Sequence, residues 1–157
     1  MTQIIATAMQ TEQARAYRNG TPDANGQQPE RAISPGEGIP CRHCLRYIPK
    51  GRAFLILAHR PFDTMQPYAE VGPIFLCAEE CTRWEEDTLP PVLVQSPEPR
   101  LLKGYSHTDR IVYGLGRIAE ADDIAEQANE ILDDDRVAYV HARSSTNNCF
   151  TCRLDRA

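Results

Sequence analysis

Missing from this sequence is any run of lysines and arginines: 17 basic side chains face 22 acidic ones, for a formal net charge of −5. With a pI near 5.4, the chain lacks the basic face or stripe that holds a phosphate backbone. Nucleic acid is therefore not expected as a partner. No apolar stretch approaches the roughly 20 residues that a membrane helix needs. The opening "MTQIIATAMQTEQARAY" has neither the basic start nor the continuous apolar segment of a secretory signal. Internal repeats are absent as well. These absences place the chain in the cytoplasm, away from the membrane and in a reducing environment.

What the chain does have is six cysteines in close pairs. In a reducing compartment such pairs point to metal or redox chemistry rather than to a disulfide framework. Hydrophobic residues at 41% and charged residues at 25% are ordinary for a globular protein. At 157 residues the chain is long enough to bury a real core. Residues 1–40 form an N-terminal segment and a Gly/Pro-rich loop, and residues 41–157 a single zinc-binding α+β domain. The segment up to Tyr17 reads as a short helix or a strand leading into one. From Arg18 to Pro40 the abundance of Gly, Pro, Asn and Asp reads as a long loop.

"AFLILA" and "GPIFLC" read as buried strands joined by a connection with three prolines. "AEECTRWEEDT" has the acidic first turn of a helix, which would place Cys81 one turn in. "LPPVLVQSPEP" reads as extended. "RLLKGYS" and "RIVYGLGRI" flank the polar turn "HTD" as a hairpin. Ile124, Ala125, Ala128, Ile131 and Leu132 recur at helical spacing. Asp133 to Asp135 form a solvated turn, since "DDD" lacks the alternating spacing of a calcium loop. "VAYVHAR" puts Val137, Tyr139, His141 and Arg143 on one strand face, and "CFTCRLD" is a last strand. The fold class is α+β, with a mostly antiparallel sheet, one main helix and a treble-clef-like zinc segment.

Cys41 and Cys44 fit a zinc knuckle, in which thiolates at i and i+3 of a tight turn supply two of four tetrahedral ligands. Cys77 closes a strand and Cys81 follows four residues on. The 32 residues between Cys44 and Cys77 suffice for a hairpin that returns the second pair beside the first. Four sulfur ligands leave no open coordination position, so such a zinc is structural. His43, inside the knuckle, could replace a cysteine, though an exposed polar role suits it better.

The knuckle, hairpin and second pair resemble the treble-clef zinc domains, and "CRHC", "IPKG" and "FLCAEEC" resemble the TRASH or L24e-like modules in particular. Three phrases, "PCRHCL", "PYAEVGPIFL" and "VAYVHARSSTNNCFTCRLDR", together resemble a bacterial family of unassigned function, domain of unknown function 1203. That resemblance spans roughly Pro40 to Arg156. It implies a bacterial single-domain protein and brings no reaction with it.

Cys149 and Cys152 admit several roles. On a strand they face opposite ways; on a turn they become alternative zinc ligands that compete with Cys77 and Cys81. A dithiol redox motif is disfavoured because no helix follows to lower a thiol pKa. A nucleophilic Cys149 with His141 as base and Arg143 holding an anionic substrate would make a small thiol-dependent enzyme, with Arg60, Tyr68 and Glu70 available to line its cleft. The leading expectation is a zinc-binding module with a binding or regulatory role toward a protein or small molecule. The enzyme and a metal-sensing or trafficking protein are its rivals.

Overall fold

The computed structural model describes residues 3–157. In chain order the elements are β1 (Ile4–Thr7), α1 (Thr11–Arg18), β2 (Glu30–Ile33), β3 (Ala53–His59), β4 (Gly72–Cys77), α2 (Pro91–Val94), β5 (Arg100–Tyr105), β6 (Arg117–Ala119), α3 (Ile124–Leu132), β7 (Tyr139–Ser144) and β8 (Phe150–Arg156). The strands form a five-stranded sheet, β1-β8-β7-β5-β6, and a three-stranded sheet, β2-β3-β4. Every ladder is antiparallel. The class is α+β, with α3 as the main helix.

Helix α3 lies on the larger sheet because Ile124, Ala128, Ile131 and Leu132 form a stripe that must leave water. They pack with Leu102, Val140, Ala142 and Leu154 in the main core. Gly104 lets the helix come close: a Cβ there would sit 2.9 Å from Ile131 Cγ2. Beyond α3, the Asp134 carboxylate takes the Arg136 guanidinium in a solvated turn.

All six residues of β7 are buried, so the strand is covered on both faces. Val140 and Ala142 face the α3 core, whereas Tyr139 joins Tyr105 and Phe62 in a separate aromatic cluster. His141 lies among these rings, 4.6 Å from Tyr105 and 4.7 Å from Phe150 between centroids. Val137 departs from the expected face: it precedes the strand and packs in the α3 core.

Three expectations need correction. The Gly/Pro-rich stretch is not all loop, since Glu30–Ile33 pairs with β3 as an edge strand. Backbone bonding and the half-buried Ala32 hold this largely exposed strand, so no apolar alternation marked it. "PPVLV" is a helical turn rather than extended, with Pro91 at a first-turn position where its missing N–H costs nothing. The hairpin partner of β5 begins at Arg117 rather than Arg110, after an excursion through Gly114 at φ +91°. Asp109, at φ +62°, turns inward to accept hydrogen bonds from Tyr139 and Thr64 at 2.8 Å each.

The β3–β4 hairpin forms as read, with Phe54 opposite Cys77 and His59 opposite Gly72. No helix among the described residues is long and apolar enough to cross a membrane.

Candidate metal centre

The first half of the centre is the turn from Cys41 to Leu45. Pro40 pairs with Tyr47 across it, and Cys41 makes a parallel bridge to Phe75 of β4. Leu45 closes the turn at φ +54°, bonding its N–H to the Cys41 carbonyl at 3.0 Å. That conformation disfavours a side chain, and full burial of the Leu45 side chain offsets the strain. The second half is Cys77, the last residue of β4, and Cys81.

All four sulfurs, of Cys41, Cys44, Cys77 and Cys81, lie within 4.8 Å of one another. The Cys41–Cys81 separation is 3.9 Å and the Cys44–Cys77 separation 4.0 Å. A tetrahedron of metal–sulfur bonds near 2.3 Å has edges of about 3.8 Å. The donor set therefore fits a four-thiolate ion.

The surroundings favour thiolates. Backbone N–H groups of His43 and Cys77 each reach Cys41 Sγ at 3.4 Å. Arg18 Nη2 and His43 Nδ1 each lie 3.1 Å from Cys81 Sγ. Thr11 Oγ1 holds the other ring nitrogen of His43 at 2.9 Å, so His43 is a fully buried neighbour of the sulfurs rather than an exposed turn residue. Hydrogen bonds from Cys44 and Cys77 bring the Cys41 thiol down to about 6. Cys81 is lowered too, by hydrogen bonds from the other three thiols and from His43. Cys44 and Cys77 are raised as the partners that keep their protons.

The helix expected after Cys77 is absent; residues 78–88 are irregular. Their hydrogen bonds run outward instead of along the segment: Ala78 N–H goes to Ala53 O and Trp84 N–H to His43 O. Cys81 is consequently positioned by Arg18 and His43 rather than by a helical turn. Arg18, the last residue of α1, also donates from Nε to the Cys77 carbonyl at 2.9 Å. A lone arginine 63 positions upstream of Cys81 carries no sequence signal for this role.

Cys149 and Cys152 stand apart from the four-sulfur cluster. Cys152 is buried in the main core, where desolvation pushes its thiol up to about 12. Cys149 precedes β8 and is half-buried, with its thiol directed to the Asn147 carbonyl at 3.8 Å. It lies where two cavities meet. One, of about 140 Å³, is lined among others by Arg42, Arg100 and Ser144; the other, of about 190 Å³, by His59, Glu70 and Arg143.

His141 Nδ1 lies 3.0 Å from Arg143 Nη2, and burial followed by the Arg143 charge pushes the imidazole well below its ordinary range. Arg143 pairs with Glu70 at 2.6 Å and donates to the Asn148 carbonyl at 3.1 Å. Glu70 thus reaches the cavity beside Cys149, whereas Tyr68 accepts from the Tyr113 hydroxyl at 3.1 Å. Arg60 has a buried Nε without a partner among the described residues. Unforeseen were the buried Arg42, Arg100 and His59, which had stood in the sequence as isolated polar residues.

Fold and site together define a small α+β protein with two antiparallel sheets and a four-cysteine cluster able to hold a metal ion. The chain belongs to the family described as "Protein of unknown function (DUF1203)", whose model matches residues 38–156. That span contains all four clustered cysteines and both cavities, while α1 and its Arg18 lie outside it. No curated protein and no solved structure matches the chain.

Proposed function

We propose that this is a small cytoplasmic zinc protein of bacteria, acting as a binding or regulatory module toward a protein or small-molecule partner. Cys41, Cys44, Cys77 and Cys81 are the ligands of one structural zinc. The convergence of four sulfurs at tetrahedral-edge spacing carries this reading. An all-sulfur donor set suits zinc among the common divalent ions and is foreign to magnesium or calcium. Four protein ligands complete the shell, so the ion would cross-link the knuckle to the β3–β4 hairpin rather than activate water. The TRASH-like likeness rests on the knuckle and hairpin alone, because irregular chain follows Cys77.

Metal analysis of protein purified without added chelator is expected to give close to one zinc per chain. Cys77→Ser should lose it, and Cys149→Ser should retain it. A folded wild-type protein without metal would refute the proposal. A second reading is a thiol-dependent reaction at Cys149 with His141 as base and Arg143 on the substrate. Its support is that Cys149, Arg143 and Glu70 line one cavity. A pH profile of Cys149 alkylation that shows only an ordinary thiol pKa would dispose of it.

A further inference from the structure

Buried cations in this protein have counter-ions in some places and lack them in others. Arg143 is matched by Glu70. Arg42 and Arg100 are only 4% and 5% exposed, and among the described residues neither forms an ion pair. Their hydrogen-bond acceptors are all neutral. Arg42 donates to the carbonyls of Phe150 and Pro40, both at 2.7 Å. Arg100 donates to the Val92 carbonyl at 2.9 Å and the Tyr47 hydroxyl at 3.3 Å, and its buried Nε has no partner.

Two guanidiniums of like charge withdrawn from water in one place are costly unless an anion joins them. Arg100 repels Arg42, while the Cys149 and Cys41 sulfurs, when ionised, attract it more strongly, and both guanidiniums line the same cavity of about 140 Å³. The one carboxylate lining that cavity, Glu98, accepts from the Thr146 hydroxyl through Oε2 at 3.4 Å and pairs with neither arginine. Ser144 and Asn147 add neutral donors to the wall, and Cys149 adds a thiol. The volume corresponds to about four or five waters, room for a carboxylate or phosphate group and too small for a nucleotide.

We propose that this cavity binds a small oxyanion, a carboxylate or phosphate group, on Arg42 and Arg100 and holds it beside the Cys149 thiol. A guanidinium N–H gives either group a charge-assisted contact. The cavity on the other side of Cys149 has no such vacancy in its charge balance, because Glu70 already neutralises Arg143.

Paired alkylating reagents test this on the whole protein. Iodoacetate carries a carboxylate and iodoacetamide is its neutral counterpart. In both cases the Cys149 sulfur bonds to the methylene carbon, iodide leaves, and the thiol proton passes to solvent. Peptide mapping isolates Cys149 from the other five cysteines, so the result does not depend on metal content. The iodoacetate-to-iodoacetamide rate ratio at Cys149, divided by that of glutathione, should be raised about tenfold or more, the equivalent of one charged hydrogen bond. Inorganic phosphate or acetate, at constant ionic strength, should suppress the iodoacetate reaction, and the stronger competitor identifies the group preferred. Arg100→Gln should return the ratio to that of glutathione. A ratio equal to glutathione's, with no protection by either anion, would overturn the proposal, as would equal acceleration of both reagents. The wild-type competition decides the matter even where the variant fails to fold.

Discussion

Replacing Arg18 by methionine isolates the support that α1 lends to the four sulfurs. The side chain is only 6% exposed, and methionine preserves most of its apolar stem while removing every donor. Two contacts disappear: Nε to the Cys77 carbonyl at 2.9 Å and Nη2 to Cys81 Sγ at 3.1 Å. A hydrogen bond to a charged group contributes about 1.5–3 kcal/mol, and partial rehydration of the carbonyl lowers the sum to about 2–4 kcal/mol. Supporting contacts around metal ligands change affinity by about 10–100-fold, so roughly 1.4–2.8 kcal/mol of the loss should appear in zinc binding. The remainder should appear as lower stability without metal. Glu80, 4.0 Å from Nη1 and largely exposed, contributes little, and Glu80→Gln serves as the control. Zinc affinity is measured by competition with a chromogenic chelator, and stability by urea unfolding with and without zinc. An affinity within about twofold of wild type and an unchanged urea midpoint would refute the claim that Arg18 holds Cys81 in place.

Gly104→Ala should destabilise the fold, because the new Cβ meets Ile131 Cγ2 at 2.9 Å and Val137 Cγ2 at 3.1 Å. The cost is about 1–3 kcal/mol, seen as a Tm lower by roughly 2–10 °C and partly restored by adding Val137→Ala. Acid should weaken the protein well before its carboxylates protonate. Burial and then the Arg42 charge push His59 down to about 4, and burial and then the Arg143 charge push His141 well below its ordinary range. Both rings stay neutral when folded but gain a proton near pH 6.5 when unfolded. Their contribution is therefore complete above pH 6.5 and is lost as pH falls, by up to about 1.4 kcal/mol per unit for each ring. His59→Phe should remove one ring's share of that slope in urea midpoints measured between pH 7.5 and 5; an unchanged slope would contradict the assignment.

The parts of this fold legible in the sequence are those where one local pattern decides the structure. The stripe from Ile124 to Leu132 has a single helical face to bury, and "AFLILA" could only be a strand covered on both sides. The paired cysteines were legible for a similar reason, since chemistry restricts the spacing at which thiols can share an ion. What escaped depends on partners far away in the chain. Edge strand β2 exists chiefly because β3 offers a free row of backbone groups, with Ala32 its one side chain packed inward. The acidic start of "AEECTRWEEDT" looks helical in isolation, yet Trp84 N–H is claimed by His43 and the helix never closes. Arg42 and Arg100, and the side chain of Arg18, look like ordinary surface cations until the tertiary structure buries them.

The pairing of β1 with β8 has a consequence in time. The Thr7 hydroxyl reaches the Asp155 carboxylate across 148 positions of chain, and among the described residues β8 is the sole sheet neighbour of β1. At ribosomal rates, residues 150–156 follow β1 by roughly 7 to 30 seconds. Throughout that interval the newborn strand, with Ile4 and Ala6 destined for the interior, has no ladder to join. An unpaired apolar edge of this kind is what chaperones bind and what neighbouring nascent chains add to. A strand made long before its partner is among the last to be protected.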